Sequence, residues 1–203
     1  MVDATRKKTM PKKAKKTPIK IMVISGSVQP GNYTSKALAL VIDEIRRYPQ
    51  FQSEIIDPIK LRLPLPGEKD NAARKKLQRL GAEAVGFVLA TPEYHGSYSS
   101  VIKLVIDNLG YPSHLSGKPV ALLGVASGKI GAVKALEHLR GVCAHVGAMV
   151  LPWSISVSSI MRKFDEQGRC LDKPTEDEIR SVGRGLVRYL ETHASALTAK
   201  KNK

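Results

Sequence analysis

The sequence predicts an α/β fold in which a parallel sheet of about five strands carries helices on both faces. Continuous apolar runs that end in small residues are typical of strands buried on both faces. Segments with helical spacing of their apolar residues alternate with these runs along the chain, which is the order of a doubly wound sheet. At 203 residues, with no internal shift of composition, the chain fits one such domain.

The first half of the chain supplies two of the buried strands. The apolar run IKIMVIS, Ile19 to Ser25, ends at a glycine and predicts the first strand. The segments that follow predict, in order, a helix that stops before Pro49, a short strand, a polar helix and a second buried strand: SKALALVIDEIRRY, QSEII, NAARKKLQRLGAEA and VGFVLA.

The second half repeats the alternation after the stretch TPEYHGSYSSVIKLVIDNL. Its segments predict a third buried strand, a helix, a short strand and a final helix: PVALLGVA, GAVKALEHLRGVCAHV, AMVLP and TEDEIRSVGRGLVRYLETH. We therefore expect a single folded domain over residues 19–199.

The net charge of +15 is concentrated outside that domain. Residues 1–20 carry a net charge of +7, and Lys200, Lys201 and Lys203 add +3. Residues 1–18 are too poor in apolar side chains to fold and predict a disordered basic arm. Such an arm either binds polyanions or only keeps the chain in solution, and no aromatic residue is interleaved with its charges. We expect no nucleic-acid partner on that ground.

Cysteine and histidine usage argues against metal and disulfide chemistry. Cys143 and Cys170 form no CxxC pair, and none of the five histidines stands in an HExxH motif. We expect no metal site and a reducing, cytoplasmic setting. No apolar run approaches the ~20 residues of a membrane span, and the N-terminus lacks the apolar core of a signal peptide.

Three loops follow the carboxyl ends of the buried strands, where ligands bind in sheets of this kind. They run from Ser25 to Thr34, from Thr91 to Ser100 and from Ser127 to Gly131. We expect any chemistry of the protein to lie in them.

The first loop, SGSVQPGNYTSKAL, has the composition of a phosphate site. Its glycines allow a close backbone approach, and its hydroxyls precede a helix N-terminus that attracts anions. Asn32 and Tyr33 stand where a nucleotide-hydrolysing Walker loop has Lys and Ser or Thr, and GxGxxG is absent. The alternative is a polar turn that caps a helix and binds nothing.

The first loop together with TPEYHGSYSSVIKLVIDNL resembles the NAD(P)H-dependent FMN reductase family, from Ile19 to the final helix. This family comprises flavodoxin-like quinone, azo-dye and chromate reductases. The resemblance implies an FMN cofactor, NADPH or NADH as hydride donor, and a quinone, free flavin, azo compound or metal oxyanion as small-molecule electron acceptor. It implies no catalytic side chain of special pKa, because the cofactor carries the chemistry.

The resemblance assigns the three loops to parts of the cofactor. The first holds the phosphate, the second lines the flavin ring, and the third adjoins the ring edge or NAD(P)H. The residues are Ser25, Ser27, Gln29, Asn32, Tyr33 and Thr34; Pro92, Glu93, Tyr94, His95 and Gly96; and Ser127, Gly128 and Lys129. Gln29 replaces the family's Arg and Thr34 its usual Asn, which removes a bidentate phosphate partner.

Some of these assignments have plain alternatives. His95 either meets the flavin edge or is a solvated loop residue, and Tyr94 is either a ring contact or a core or interface aromatic. Lys129 either attracts the negatively charged dinucleotide or lies in an ordinary turn.

The helix after the second loop carries apolar residues over roughly 200° of its circumference, about twice what one buried face needs. A symmetric homodimer explains the second face, and the resemblance implies dimers or tetramers. The alternative is a helix buried within one subunit.

Two rival functions stand beside the reductase. One is a flavodoxin-type FMN electron carrier without NAD(P)H activity, which the basic charge disfavours. The other is a polyanion-binding module that uses the basic arm.

Overall fold

The computed structural model describes the backbone of residues 18–199 and the side chains of residues 18–193. All but the last residue of the predicted basic arm therefore lies outside the described residues.

A parallel sheet forms the centre of the domain. Its long strands are β1 (Ile19–Ser25), β2 (Phe51–Ile56), β3 (Gly86–Tyr94) and β5 (Pro119–Val125). The order across the sheet is β2-β1-β3-β5, followed by a last position described below, and all these pairs are parallel. This is the order of flavodoxin-like sheets, so the predicted doubly wound α/β fold is confirmed.

The described part of the chain contributes seven strands to the sheet, and the predicted count of five was wrong. The fifth parallel position is split into β6 (Met149–Val150) and β7 (Ile155–Val157), which both pair with β5. Pro152 lies in the break, where a residue without an N–H cannot extend a ladder. The seventh strand is β4 (Ser97–Tyr98), which pairs antiparallel with the end of β3.

Within residues 18–199, five α-helices cover the two faces of the sheet, in agreement with the predicted alternation. They are α1 (Tyr33–Arg46), α2 (Ala72–Glu83), α3 (Ser100–Asp107), α4 (Val133–His145) and α5 (Lys173–Ala199). The core on one face unites the sheet with α1 and α5, and the core on the other unites it with α2, α3 and α4. No helix within residues 18–199 combines the length and the apolar character that crossing a bilayer requires.

Local capping fixes where three of the helices begin. Asn32, Asn71 and Ser99 each accept a hydrogen bond from a backbone N–H in the first turn of α1, α2 and α3 respectively. The N-cap position of α4 is Ala132, whose side chain offers no acceptor. The first turn of α4 therefore needs a partner from elsewhere in the fold.

Candidate functional site

The three predicted loops lie side by side at one rim of the sheet. They follow the carboxyl ends of β1, β3 and β5, which are neighbours in the strand order. The prediction of a loop from Thr91 to Ser100 was wrong in extent, because β3 continues to Tyr94 and β4 covers Ser97–Tyr98. We call the connecting segments the phosphate loop (residues 26–32), the hairpin turn (residues 94–97) and the third loop (residues 126–132).

The phosphate loop is fastened to the end of β3. The backbone N–H of Gly26 donates to the Ala90 carbonyl at 2.7 Å, and Ser99 Oγ donates to the Gly26 carbonyl at 2.5 Å. A Cβ on Gly26 would lie 2.6 Å from the Ala90 carbonyl oxygen, so only glycine allows this approach. The loop is thereby held rigidly against β3.

Ser27 carries a buried hydroxyl that the protein leaves unpaired. The residue is 3% exposed, and its Oγ has no hydrogen-bond partner among the described residues. Within the same part of the chain, the backbone N–H groups of Tyr33 and Thr34 at the start of α1 also lack a partner. Unpaired donors beside a helix N-terminus fit a phosphate dianion.

Two other polar side chains at this loop form hydrogen bonds within the protein. Asn32 Oδ1 accepts from the Ser35 N–H at 2.7 Å, and its Nδ2 donates to the Gln29 carbonyl at 2.6 Å. Ser25 Oγ lies 3.3 Å from Ser35 Oγ. Gln29 itself is exposed, Thr34 is buried, and Tyr33 packs against the core.

The hairpin turn has two consecutive residues with positive φ. They are His95 at 51° and Gly96 at 75°, the pattern of a type I′ turn between β3 and β4. A non-glycine residue in this region is uncommon and concentrates at functional sites. Pro92 is buried, whereas Tyr94 and His95 are exposed at the rim.

Glu93 supplies the cap that α4 lacks locally. Its Oε2 accepts from the backbone N–H of Ala135 at 3.0 Å, in the first turn of α4. A second contact joins Ser97 Oγ to His138 Nδ1 at 3.0 Å. The hairpin turn is thus clamped to the helix that leaves the third loop, and the Glu93 carboxylate is occupied by the protein itself.

Hydrogen bonds fix two positions of the third loop, and three of its residues are exposed. The Gly128 carbonyl accepts from the Ser159 N–H at 3.0 Å, and Ser156 Oγ accepts from the Ala132 N–H at 2.8 Å. Ser127, Gly128 and Lys129 are all exposed. These three residues are therefore accessible from solvent at the rim of the sheet.

Sequence reasoning missed two groups of residues at this rim. Thr91 and Ser99 are fully buried and link β3 to the start of α3, since Thr91 Oγ1 accepts from the Ser99 N–H at 3.0 Å. A serine directly before an apolar helix was the available signal for this cap. Val28 and Ile130 are 43% and 87% exposed, and apolar residues within polar loops were the signal for them.

Comparisons with known proteins agree with this geometry. The family model described as NADPH-dependent FMN reductase matches residues 19–161. An NAD(P)H-dependent FMN reductase of Pseudomonas aeruginosa is 33% identical over 176 residues, which cover 83% of this chain and 93% of that protein. An NADPH azoreductase of a Bacillus species is 30% identical over 177 residues, covering 85% of this chain and 96% of that protein.

A solved structure shows the same fold at lower identity. The flavoenzyme NAD(P)H:acceptor oxidoreductase FerB from Paracoccus denitrificans superimposes with a TM-score of 0.71 at 22% identity. The match covers 86% of this chain and 98% of that chain.

Proposed function

Because the chain belongs to the NADPH-dependent FMN reductase family, we propose that the rim described above holds FMN and admits both NAD(P)H and an electron acceptor. The protein is an FMN-dependent oxidoreductase that uses NAD(P)H. Bound FMN would take hydride from the nicotinamide and pass the electrons to the acceptor. Binding and orienting these molecules is the part left to the chain.

The buried, unpaired hydroxyl of Ser27 is the main support for a phosphate site at this end of the rim. A phosphate oxygen that accepts from Ser27 Oγ and from the Tyr33 and Thr34 N–H groups would satisfy donors that are otherwise orphaned. The first turn of α1 contains no acidic residue to oppose the anion. Gln29 adds no charge, so these neutral donors would replace the guanidinium of other members.

The ring end of the site lies between the hairpin turn and the third loop. Pro92 and the backbone from Glu93 to Gly96 would form one wall, and Ser127 and Gly128 the other. Tyr94, at 43% exposed, offers an aromatic face at the mouth. Lys129 is exposed at the outer edge, where its charge suits the phosphates of NAD(P)H.

The acceptor belongs to the small, planar or oxyanionic molecules that an open rim admits, namely a quinone, free flavin, azo compound or metal oxyanion. An electron carrier without NAD(P)H activity is not favoured, because the curated relatives above carry reductase names. We also place the protein in the cytoplasm, which suits a chain whose two cysteines are both free.

The homo-oligomer is likewise a proposal, and α3 supports it. Val101 and Leu104 stay only half-buried in the single chain although both are apolar and one turn apart. A second copy placed against this strip would bury them.

The test is flavin retention by matched serine variants. Ser27→Ala removes the unpaired rim hydroxyl, and we expect at least tenfold weaker FMN binding, since a charge-assisted hydrogen bond contributes about 1.5–3 kcal/mol. Ser53→Ala is the control, because Ser53 Oγ is also buried without a partner among the described residues but lies in β2, away from the rim. FMN is titrated into apoprotein and followed by flavin fluorescence.

Absorbance spectra with and without NADPH then separate the enzyme from a carrier. We expect the yellow protein to bleach on NADPH addition and to oxidise NADPH steadily when a quinone is supplied. Equal FMN affinity of the Ser27→Ala and Ser53→Ala variants would place the phosphate elsewhere.

A further inference from the structure

A lysine outside the predicted set of site residues lies between two of the rim loops. Lys134 is the second residue of α4 and follows the third loop directly. A Cβ placed on Gly96, in the hairpin turn, would lie 3.7 Å from Lys134 Cδ. The aliphatic part of the side chain therefore packs on the hairpin turn. Because Nζ is only two bonds beyond Cδ, the charge stays next to this turn.

The charge of Lys134 has no partner within residues 18–193. The side chain is exposed and forms neither an ion pair nor a hydrogen bond with another described residue. Glu93, the carboxylate of the neighbouring strand end, accepts from the Ala135 N–H at 3.0 Å instead. His138, one turn along α4, contacts Ser97 Oγ at 3.0 Å.

The other charges of these elements leave Lys134 as the cation at the turn. Glu93 offsets the positive end of the α4 dipole, because it caps the first turn of that helix. That first turn contains no acidic residue of its own. The remaining ionisable side chains on the hairpin turn, the third loop and the start of α4 are all exposed: Tyr94, His95, Lys129 and Glu137.

The position of Lys134 coincides with the ring end of the site proposed above, which lies between the hairpin turn and the third loop. An oxidised flavin ring is neutral, whereas the ring reduced by two electrons carries a negative charge at N1 near neutral pH. A fixed cation beside the ring therefore binds the reduced form more tightly than the oxidised form. The phosphate charge is the same in both forms and cancels in this comparison.

On the premise of that FMN site, we propose that Lys134 raises the reduction potential of the bound cofactor. The side chain acts through its charge alone. The FMN couple takes up two electrons and one proton, and Lys134 neither gives nor receives that proton. Lys134 thus sets how readily the bound cofactor accepts hydride from NAD(P)H, a property that the phosphate end of the site does not control.

The experiment measures the midpoint potential of FMN bound to the full-length protein, by anaerobic equilibration with a reference dye. The dissociation constant of oxidised FMN is measured by flavin fluorescence, and the two values together give that of reduced FMN. No dinucleotide is present, so a role of Lys134 in NAD(P)H binding cannot produce a shift.

Lys134→Met keeps the aliphatic chain on the hairpin turn and removes the charge. We expect reduced FMN to bind about tenfold more weakly and the affinity for oxidised FMN to change less than about twofold. For a two-electron couple this tenfold change lowers the midpoint potential by about 30 mV. The shift should shrink as the salt concentration rises, because the charge is exposed.

Two further variants separate charge at the turn from structure and from net charge. Lys134→Arg retains the cation and should keep the wild-type potential. Arg188→Met removes an exposed charge from α5, on the other face of the sheet from α4, and should leave the potential unchanged.

Several outcomes would overturn the proposal. A wild-type potential in Lys134→Met would do so while leaving the FMN site intact, and so would an equal loss of affinity for oxidised and reduced FMN. A shift of the same size in Arg188→Met would make the effect one of net charge. A wild-type protein that binds no FMN would overturn the proposed function and, with it, this role of Lys134.

Discussion

At the scale of single residues, the two cysteines have opposite environments. Cys143 is fully buried in α4, and burial raises the pKa of its thiol to about 12. Because the thiolate is the reactive form, Cys143 is inert at neutral pH. Cys170 is half-exposed, with its Sγ 3.4 Å from the Asp172 carbonyl.

We therefore expect one fast thiol per chain when the native protein meets an aromatic disulfide reagent at pH 8, and two after denaturation. Cys170→Ser should abolish the fast phase and leave the slow one. A Cys170→Ser protein that still reacts quickly would show that Cys143 is accessible.

Three rim residues show what sequence reasoning could reach at this scale. Composition and resemblance predict Ser27 as a phosphate ligand, and the structure shows its hydroxyl buried without a partner among the described residues. Asn32 and Glu93 carry the same resemblance, but the structure uses their polar atoms as helix caps. The cap from Asn32 is local to α1, whereas the cap from Glu93 depends on where α4 lies relative to β3, which no local pattern encodes.

At the scale of elements, Glu93 ties the hairpin turn to α4. Glu93→Ala should leave the Ala135 N–H unpaired and lower the free energy of unfolding by about 1 kcal/mol, the typical cost of a lost cap. FMN affinity should fall as well, because the turn loses one of its two fixed points. Urea unfolding of the apoprotein and FMN titration measure the two effects.

Glu93→Gln retains an acceptor oxygen and should recover a large part of both the stability and the FMN affinity. Glu137→Ala is the control, an exposed carboxylate on α4 itself. Equal free energies of unfolding for the Glu93→Ala and Glu137→Ala proteins would show that the Glu93 cap does not stabilise the fold.

A partly buried ionic cluster joins α1 to α5. Arg180 contacts Glu176 at 2.8 Å and Asp43 at 2.6 Å, and Glu44, only 2% exposed, pairs with Arg184 at 3.1 Å. Arg180→Met should lower the free energy of unfolding by about 1.5 kcal/mol, because Asp43 and Glu176 lose a charged hydrogen-bond donor while the buried Glu44 keeps Arg184. Arg79→Met, which breaks an exposed pair with Glu83, should cost less than 1 kcal/mol.

The difference in the free energy of unfolding between the wild type and Arg180→Met should also depend on pH. Hydrogen bonds from Arg180 lower the pKa of Asp43 from 3.8 and that of Glu176 from 4.5. A carboxyl group whose pKa is lower in the folded than in the unfolded state stabilises the fold at pH values above its unfolded pKa. This stabilisation is lost as the pH falls through its folded pKa. Urea unfolding should therefore show the gap between wild type and Arg180→Met narrowing below about pH 4; a constant gap would contradict the ionic origin.

At the scale of the whole molecule, the parallel sheet was predictable and its edges were not. The buried parts of IKIMVIS and PVALLGV are almost wholly apolar because helices cover both faces, and that requirement is visible in the sequence. The two-residue strands β4 and β6 carry no such pattern, since their neighbours supply the pairing.

The proposed homo-oligomer needs an interface that extends beyond α3. The eight residues of α3 span about 12 Å, which is too short for a stable interface of about 800 Å² per partner. The groove between α3 and α4, about 640 Å³ and lined in part by Ile106 and Val142, is the adjoining surface. Leu104→Glu places a charge on the half-buried strip and should convert the assembly to monomers in sedimentation equilibrium.

Leu171→Glu is the matched control, since Leu171 is 66% exposed and lies far along the chain from α3. It should leave the assembly intact. Thermal melts of both variants separate dissociation from unfolding, because a monomer formed by loss of the interface retains a cooperative transition. A Leu104→Glu protein that sediments as the wild type does would move the interface away from α3. The half-burial of Val101 and Leu104 would then be only the ordinary exposure of apolar residues on a surface helix.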